Sequence, residues 1–200
     1  MRYPIPGYFA KFRWYAEHQA WLEQTYGDWT HVVPEGTTPR RAVLRHANLS
    51  GLTLNHADLR YADLSRVDLR DALLSSAKLD HAVLAEADMR RADMPYVSLV
   101  GADLSGANLG CALVHGCNLR GANLSNADLF QARLNQSNLS GANLTGASLV
   151  RAHLSDVSLA GALLLRVDWT GARDLDEISD GLLCPTLRGG VRFIPRPAEP

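Results

Sequence analysis

From residue 44 to residue 169 a large apolar side chain falls on every fifth position, twenty-six times in succession, with no insertion or deletion to shift the register. Helices place apolar residues three and four apart, and half-buried strands place them two apart. A period of five fits neither, so each five-residue unit performs one repeated structural job and the chain is predicted to be a solenoid. Its core is then a row of stacked side chains, and its function falls on the outer faces.

Within a unit, the large residue is the centre. Leu occupies 22 of the 26 centres, the others being Met89, Met94, Val114 and Trp169, and the position two before the centre is Ala in 19 of 26. Both are predicted to face inward, separated by one outward residue that is commonly Asp or Asn, as in Ala57-Asp58-Leu59 and Ala122-Asn123-Leu124. The two positions after the centre are polar or glycine and must turn the chain. Nine glycines, from Gly51 to Gly171, stand at the second of them, where a positive φ costs glycine least.

Runs such as Ala102-Asp103-Leu104-Ser105-Gly106-Ala107-Asn108-Leu109 resemble the A(D/N)LXX repeat of the pentapeptide repeat family. The resemblance implies an all-β solenoid, a right-handed quadrilateral parallel β-helix in which four units make one square turn. Twenty-six units would give six and a half turns, and at the usual strand spacing of about 4.8 Å the shaft would be roughly 30 Å long.

A unit this short cannot bury its own Leu and Ala, so stability comes from stacking each residue on its counterpart 20 positions away. The two ends then expose unpaired backbone and a cross-section of core, and they require caps. Residues 1–39 hold nine of the fourteen aromatic residues, and Tyr8, Phe12, Tyr15, Gln19, Leu22 and Tyr26 recur at helical spacing before Gly27. This segment is predicted to be an N-terminal α-helical cap and linker, with Trp14 and Trp21 on its other side. Residues 40–172 form the array, and residues 173–200 a short C-terminal cap or tail. Leu163 and Leu165 fall on outward positions beside the aromatic centre Trp169. Either the 173–200 segment covers them or they make a homodimer contact through the C-terminal end, as in some family members.

The chemistry-bearing residues argue against catalysis, because an uninterrupted shaft has no inserted loop to wall a cleft. Stacked on a 20-residue turn, the seven histidines and three cysteines form no His or Cys pair, so neither a metal site nor a cofactor is expected. Cys117 replaces an inward Ala, whereas Cys111 lies at a turn as an exposed thiol. Odd cysteine number without disulfide spacing fits a reducing compartment. With no secretory signal and no long apolar run, a cytoplasmic location away from membranes is expected.

The same stacking compares the outer faces. One outward column reads Asn48, Asp68, Asp88, Asn108, Asp128, Ser148, Asp168. Some members of the family are proposed to mimic DNA, acidic side chains on a duplex-wide shaft standing in for phosphates in the DNA site of gyrase. That makes Asp68, Asp88, Asp128 and Asp168 candidate partner-binding residues. Asp or Asn before the centre also belongs to the repeat, through hydrogen bonds to nearby backbone. Residues 41–170 carry 12 basic and 12 acidic side chains, with Arg70 and Arg90 two positions after Asp68 and Asp88. Gyrase-protecting members also tend to carry Phe at many centres, and this chain has none. Phe130 and Val150 stack as an apolar pair, and Gly101, Gly121, Gly141 and Gly161 line a flat, weakly charged side. The expected function is non-enzymatic binding of a macromolecule. The resemblance implies as partner a DNA-binding enzyme, such as a topoisomerase, gyrase or defence nuclease, that the chain would inhibit or protect. Alternatively, the chain is a protein-interaction scaffold using the N-terminal helix or the C-terminal segment. Direct nucleic-acid binding is not expected at a net charge of −1.

Overall fold

The structure, a computed structural model, describes residues 43–174. The residue before each centre forms a parallel bridge with its counterpart 20 positions on, Val43 with Asp63, Asn48 with Asp68, Thr53 with Leu73 and Asp58 with Lys78, and so on to His153 with Arg173. Twenty residues therefore make one turn of four five-residue sides, each contributing a single bridging position. Backbone hydrogen bonds run along the axis. Leu64 N donates to Val83 O at 2.7 Å, and Val83 N donates to Ala62 O at 2.9 Å, so both backbone groups of Val83 pair with the residues flanking Asp63 one turn before.

The corners explain why the period is five. The N–H of the next small residue donates back to the centre carbonyl, Ala47 to Leu44 at 3.1 Å and Ala107 to Leu104 at 3.0 Å, closing a four-residue turn. Its third residue takes a positive φ in every unit from His46 to Gly171, between 55° and 73°, which is the signature of a type II turn. The expected glycine sites adopt this conformation, and so do the side-chain-bearing residues in the same position. Pairing along the axis holds them there, as in His46 N to Ser65 O at 3.1 Å.

Two glycines serve a neighbour as well as the backbone. A Cβ on Gly101 would lie 2.7 Å from His81 Nδ1, and one on Gly116 would lie 2.7 Å from the Tyr96 ring. His81 is sandwiched, since its other face stacks on Tyr61 with ring centroids 5.1 Å apart. A Cβ on Gly121 would meet nothing within 4 Å. Gly121→Ala is therefore expected to cost only the backbone penalty, roughly 1 kcal/mol. Gly101→Ala should cost more by the loss of ring contact, and His81→Ala in the same chain should return the difference. Urea midpoints of the three variants measure it.

The core is the predicted pair of columns. The Leu and Met centres from Leu44 to Leu159 and the small residues between them are buried, apart from half-buried Ala57. One exception in the small column is informative. Ser137 is buried, accepts the Cys117 N–H at 3.0 Å and donates its hydroxyl to Val114 O at 2.5 Å. It thus bridges the two backbone groups that close the turn in other units. One turn earlier Cys117 Sγ reaches Met94 O at 2.8 Å in the same manner. Burial pushes the Cys117 thiol up to about 12, so it packs rather than reacts, while Cys111 is exposed.

Towards the C-terminal end the core opens. Ala162, Leu164, Trp169 and Ala172 are half-exposed, and Leu163 and Leu165 stand 59% and 66% exposed. Trp169 Nε1 is buried without a hydrogen-bond partner among the described residues. Of the 173–200 segment expected to cover this end, only Arg173 and Asp174 are described. The N-terminal helix, with Trp14 and Trp21, lies outside the described residues.

Candidate binding faces

The Asp or Asn before a centre has a local duty. Its Oδ1 accepts the N–H two residues on, capping the corner, as in Asp58 to Arg60, Asp103 to Ser105, Asn108 to Gly110, Asn123 to Ser125, Asn138 to Ser140 and Asn143 to Thr145. On the face bearing the acidic column, Asn48, Asp68, Asp88, Asn108, Asp128 and Asp168 all make this bond. Much of the column is therefore accounted for by backbone need.

The bridges do bring the candidate carboxylates into one line: Asp68 pairs with Asp88, Asn108 joins Asp88 to Asp128, and Ser148 joins Asp128 to Asp168. Their electrostatics divide the line in two. Arg70 grips Asp68 through two bonds of 2.9 and 2.6 Å, and Arg90 grips Asp88 through two of 2.8 and 2.6 Å. Arg70 also lies 3.6 Å from Asp88, linking the pairs along the face. Asp128 and Asp168 have no ion pair among the described residues. Asp128 accepts the Phe130 N–H at 3.0 Å, which joins the acidic and apolar candidates at one corner, and Asp168 accepts both the hydroxyl and the N–H of Thr170. Phe130 and Val150 are half-buried, one turn apart on the edge of this face.

Hydrogen bonding from Arg60, Arg70 and Arg90 holds the carboxyls of Asp58, Asp68 and Asp88 below their ordinary range, against the opposing effect of burial. The stabilisation these pairs give is fully present above the ordinary carboxylate pKa, about 4, and is lost as pH falls through the lower folded values. The urea midpoint is expected to hold steady from neutral pH to about 5 and to fall below about 4. Asp58→Asn, Asp68→Asn and Asp88→Asn together should shrink that acid-sensitive part. Each exposed pair contributes on the order of 0–1 kcal/mol.

One face departs from the rule. Its outward column runs Thr53, Leu73, Asp93, Leu113, Arg133, His153 and Arg173, linked by consecutive bridges. Asp93 is its single Asp or Asn, and the residue two on is Pro95, which has no N–H to give. No outward side chain on this face caps a corner, so its composition is free of the demand that shapes the other three. Leu73 and Leu113 are 40% and 37% exposed, and Tyr96 on the adjoining edge is 62% exposed. Sequence reasoning passed over this face because it followed the carboxylates. The available signal was the scarcity of Asp or Asn in every fourth unit, where Asp93 stands alone and is followed by Pro95.

No cluster of three or more His, Cys, Asp or Glu that could hold a metal occurs among the described residues. No helix among them is long and apolar enough to cross a membrane.

Fold and faces together define a repeat shaft whose variable surface is a set of four flat sides. The pentapeptide repeats model matches in eight copies spanning residues 40–75, 72–110, 98–136, 107–146 and 137–173, and the chain belongs to that family. The family's fold is the right-handed quadrilateral β-helix. The chain is similar in fold to a trypsin-treated form of QnrB1, a plasmid-mediated fluoroquinolone resistance protein, at 20% identity over 62% of this chain and 76% of that one, with a TM-score of 0.34. It is similar to a pentapeptide repeat protein from the Arabidopsis thaliana thylakoid lumen at 25% identity, over 57% and 66% of the two chains, with a TM-score of 0.32. It also resembles HetL, a pentapeptide repeat protein involved in heterocyst differentiation regulation in the cyanobacterium Nostoc sp. strain PCC 7120, at 28% identity over 68% and 90%, with a TM-score of 0.21. No curated protein matches.

Proposed function

We propose that the chain is a non-enzymatic binding protein, a rigid shaft that holds a protein partner along its sides. The observation that carries this reading is the unbroken 20-residue pairing from Val43 to Arg173, which leaves no inserted loop where reacting groups could converge. Flat sides with exposed apolar and charged residues suit recognition by surface complementarity. Affinity purification of the full chain from its native host tests it. A protein should co-purify and persist at about 1 M salt, where surface charge contacts are screened within roughly 3 Å. Recovery of nucleic acid alone, or of no macromolecule, would sink the reading.

A second reading is supported by Asp128 and Asp168, the two column carboxylates that no arginine neutralises among the described residues. Here the chain is a DNA mimic that inhibits or protects a DNA-binding enzyme such as gyrase, another topoisomerase or a defence nuclease. It predicts that duplex DNA competes with the chain for its partner and that Asp128→Asn with Asp168→Asn weakens this competition. On either reading Leu163, Leu165 and Trp169 mark the end at which a C-terminal cover or a second copy would seat.

A further inference from the structure

We infer that the side carrying Leu73, Leu113, Arg133 and Arg173 is the docking face, and that its occupant is an extended protein segment with aliphatic side chains followed by carboxylates. The inference rests on the protein-binding reading above and specifies its surface and partner chemistry. On the other three sides the outward residue repeatedly caps a corner, as Asp68, Asp103 and Asn138 do. On this side no outward residue does so, and its side chains are free to meet a partner.

The face has two halves in a fixed order. Leu73 and Leu113 flank Asp93 in consecutive bridges, with Tyr96 exposed on the adjoining edge, and the line continues into Arg133, His153 and Arg173. Arg151 stands on the neighbouring edge, and none of the three guanidiniums at 133, 151 and 173 has an ion pair among the described residues, in contrast to Arg70, Arg90 and Arg91. Among the described residues the acidic groups facing this half are Asp156 on the other edge and Asp174, whose carboxylate lies 3.9 Å from His153 Nδ1. From Leu73 to Arg173 the face spans five turns, about 24 Å, which an extended segment of roughly seven residues would cover. Unpaired guanidiniums suit carboxylates, which they can bind in bidentate fashion, and exposed leucines beside a tyrosine suit an aliphatic anchor. A nucleic-acid backbone fits less well, since its phosphates repeat at about 3.4 Å per strand and would run from the cations across two leucines.

The test uses the full chain with a photoactivatable benzoylphenylalanine introduced at Leu113, and in a second preparation at Asn118 on the next side, irradiated in extract of the native host. The label at Leu113 should form protein adducts whose cross-linked segment, read by mass spectrometry, holds aliphatic residues next to Asp or Glu. Arg133→Glu with Arg173→Glu should cut the adduct yield at least five-fold while leaving the melting temperature unchanged. Adducts confined to the label at Asn118, adducts to nucleic acid or to neutral or basic segments, or a yield indifferent to charge reversal would overturn the inference and leave the protein-binding reading standing. Absence of protein adducts from both labels, together with loss of co-purifying protein, would overturn both.

Discussion

Leu104→Ala is expected to destabilise the shaft by about 3–4 kcal/mol and to lower its Tm by roughly 10 °C. Leu104 is fully buried at mid-length, between the centres Leu84 and Leu124 of the adjoining turns, which are equally buried. A square turn closed by backbone pairing on all four sides, as Leu104 N to Asn123 O at 2.7 Å shows for one of them, cannot contract around a missing side chain, so the cavity persists. Each turn in a solenoid touches only its neighbours. The same substitution should therefore broaden the calorimetric transition, since it weakens the coupling between the two halves. A Tm within about 2 °C of the parent would mean that the centres do not form a continuous packed column.

The second large effect is expected at Ser137, where substitution to Ala restores the commonest residue of the repeat and should nonetheless destabilise by about 2 kcal/mol. The reason is local. The Ser137 hydroxyl sits between Cys117 N and Val114 O, and its removal leaves a donor and an acceptor facing each other across a turn that lacks its own bond. Ser137→Cys should retain part of the stability, because Cys117 reaches the Met94 carbonyl in the same way one turn away. Urea unfolding of the two variants against the parent measures both effects. An Ala variant as stable as the parent would show that the turn closes on itself once the hydroxyl is gone.

The contrast between these two residues shows what a repeat displays and what it conceals. Leu104 was legible because its role depends only on period, and every inward Leu and Ala between Leu44 and Leu159 follows from that same count. The nearness of Arg70 to Asp68 and of Arg90 to Asp88 was legible in their spacing of two, whereas the two-bond grip of each arginine on its carboxylate came only with the structure. Ser137 was not, because its buried hydroxyl stands in for the closing bond of a corner one turn away, between Cys117 at 20 residues and Val114 at 23, and the count of five marks that position only as small and inward. The left-handed corners were legible only where glycine stands. Positions such as His46, Tyr61 and Arg91 adopt the same φ under the pull of axial hydrogen bonds, which no single residue announces. On the faces, the acidic column drew attention because carboxylates are conspicuous, yet Asp and Asn there are shared with the backbone. The side of Leu73, Leu113, Arg133 and Arg173 is distinguished by what it omits.

The most direct measurement is partner capture by the full chain carrying Asp68→Asn, Asp88→Asn, Asp128→Asn and Asp168→Asn together. Asparagine keeps the Oδ1 that caps each corner, as Asn48 and Asn108 do in the same column. The shaft should therefore fold, and with the acidic column neutralised it should recover its protein partner from the native host at no less than half the parental yield. Recovery abolished in this variant, with the Arg133→Glu and Arg173→Glu variant binding normally, would contradict the account and place recognition on the carboxylates instead.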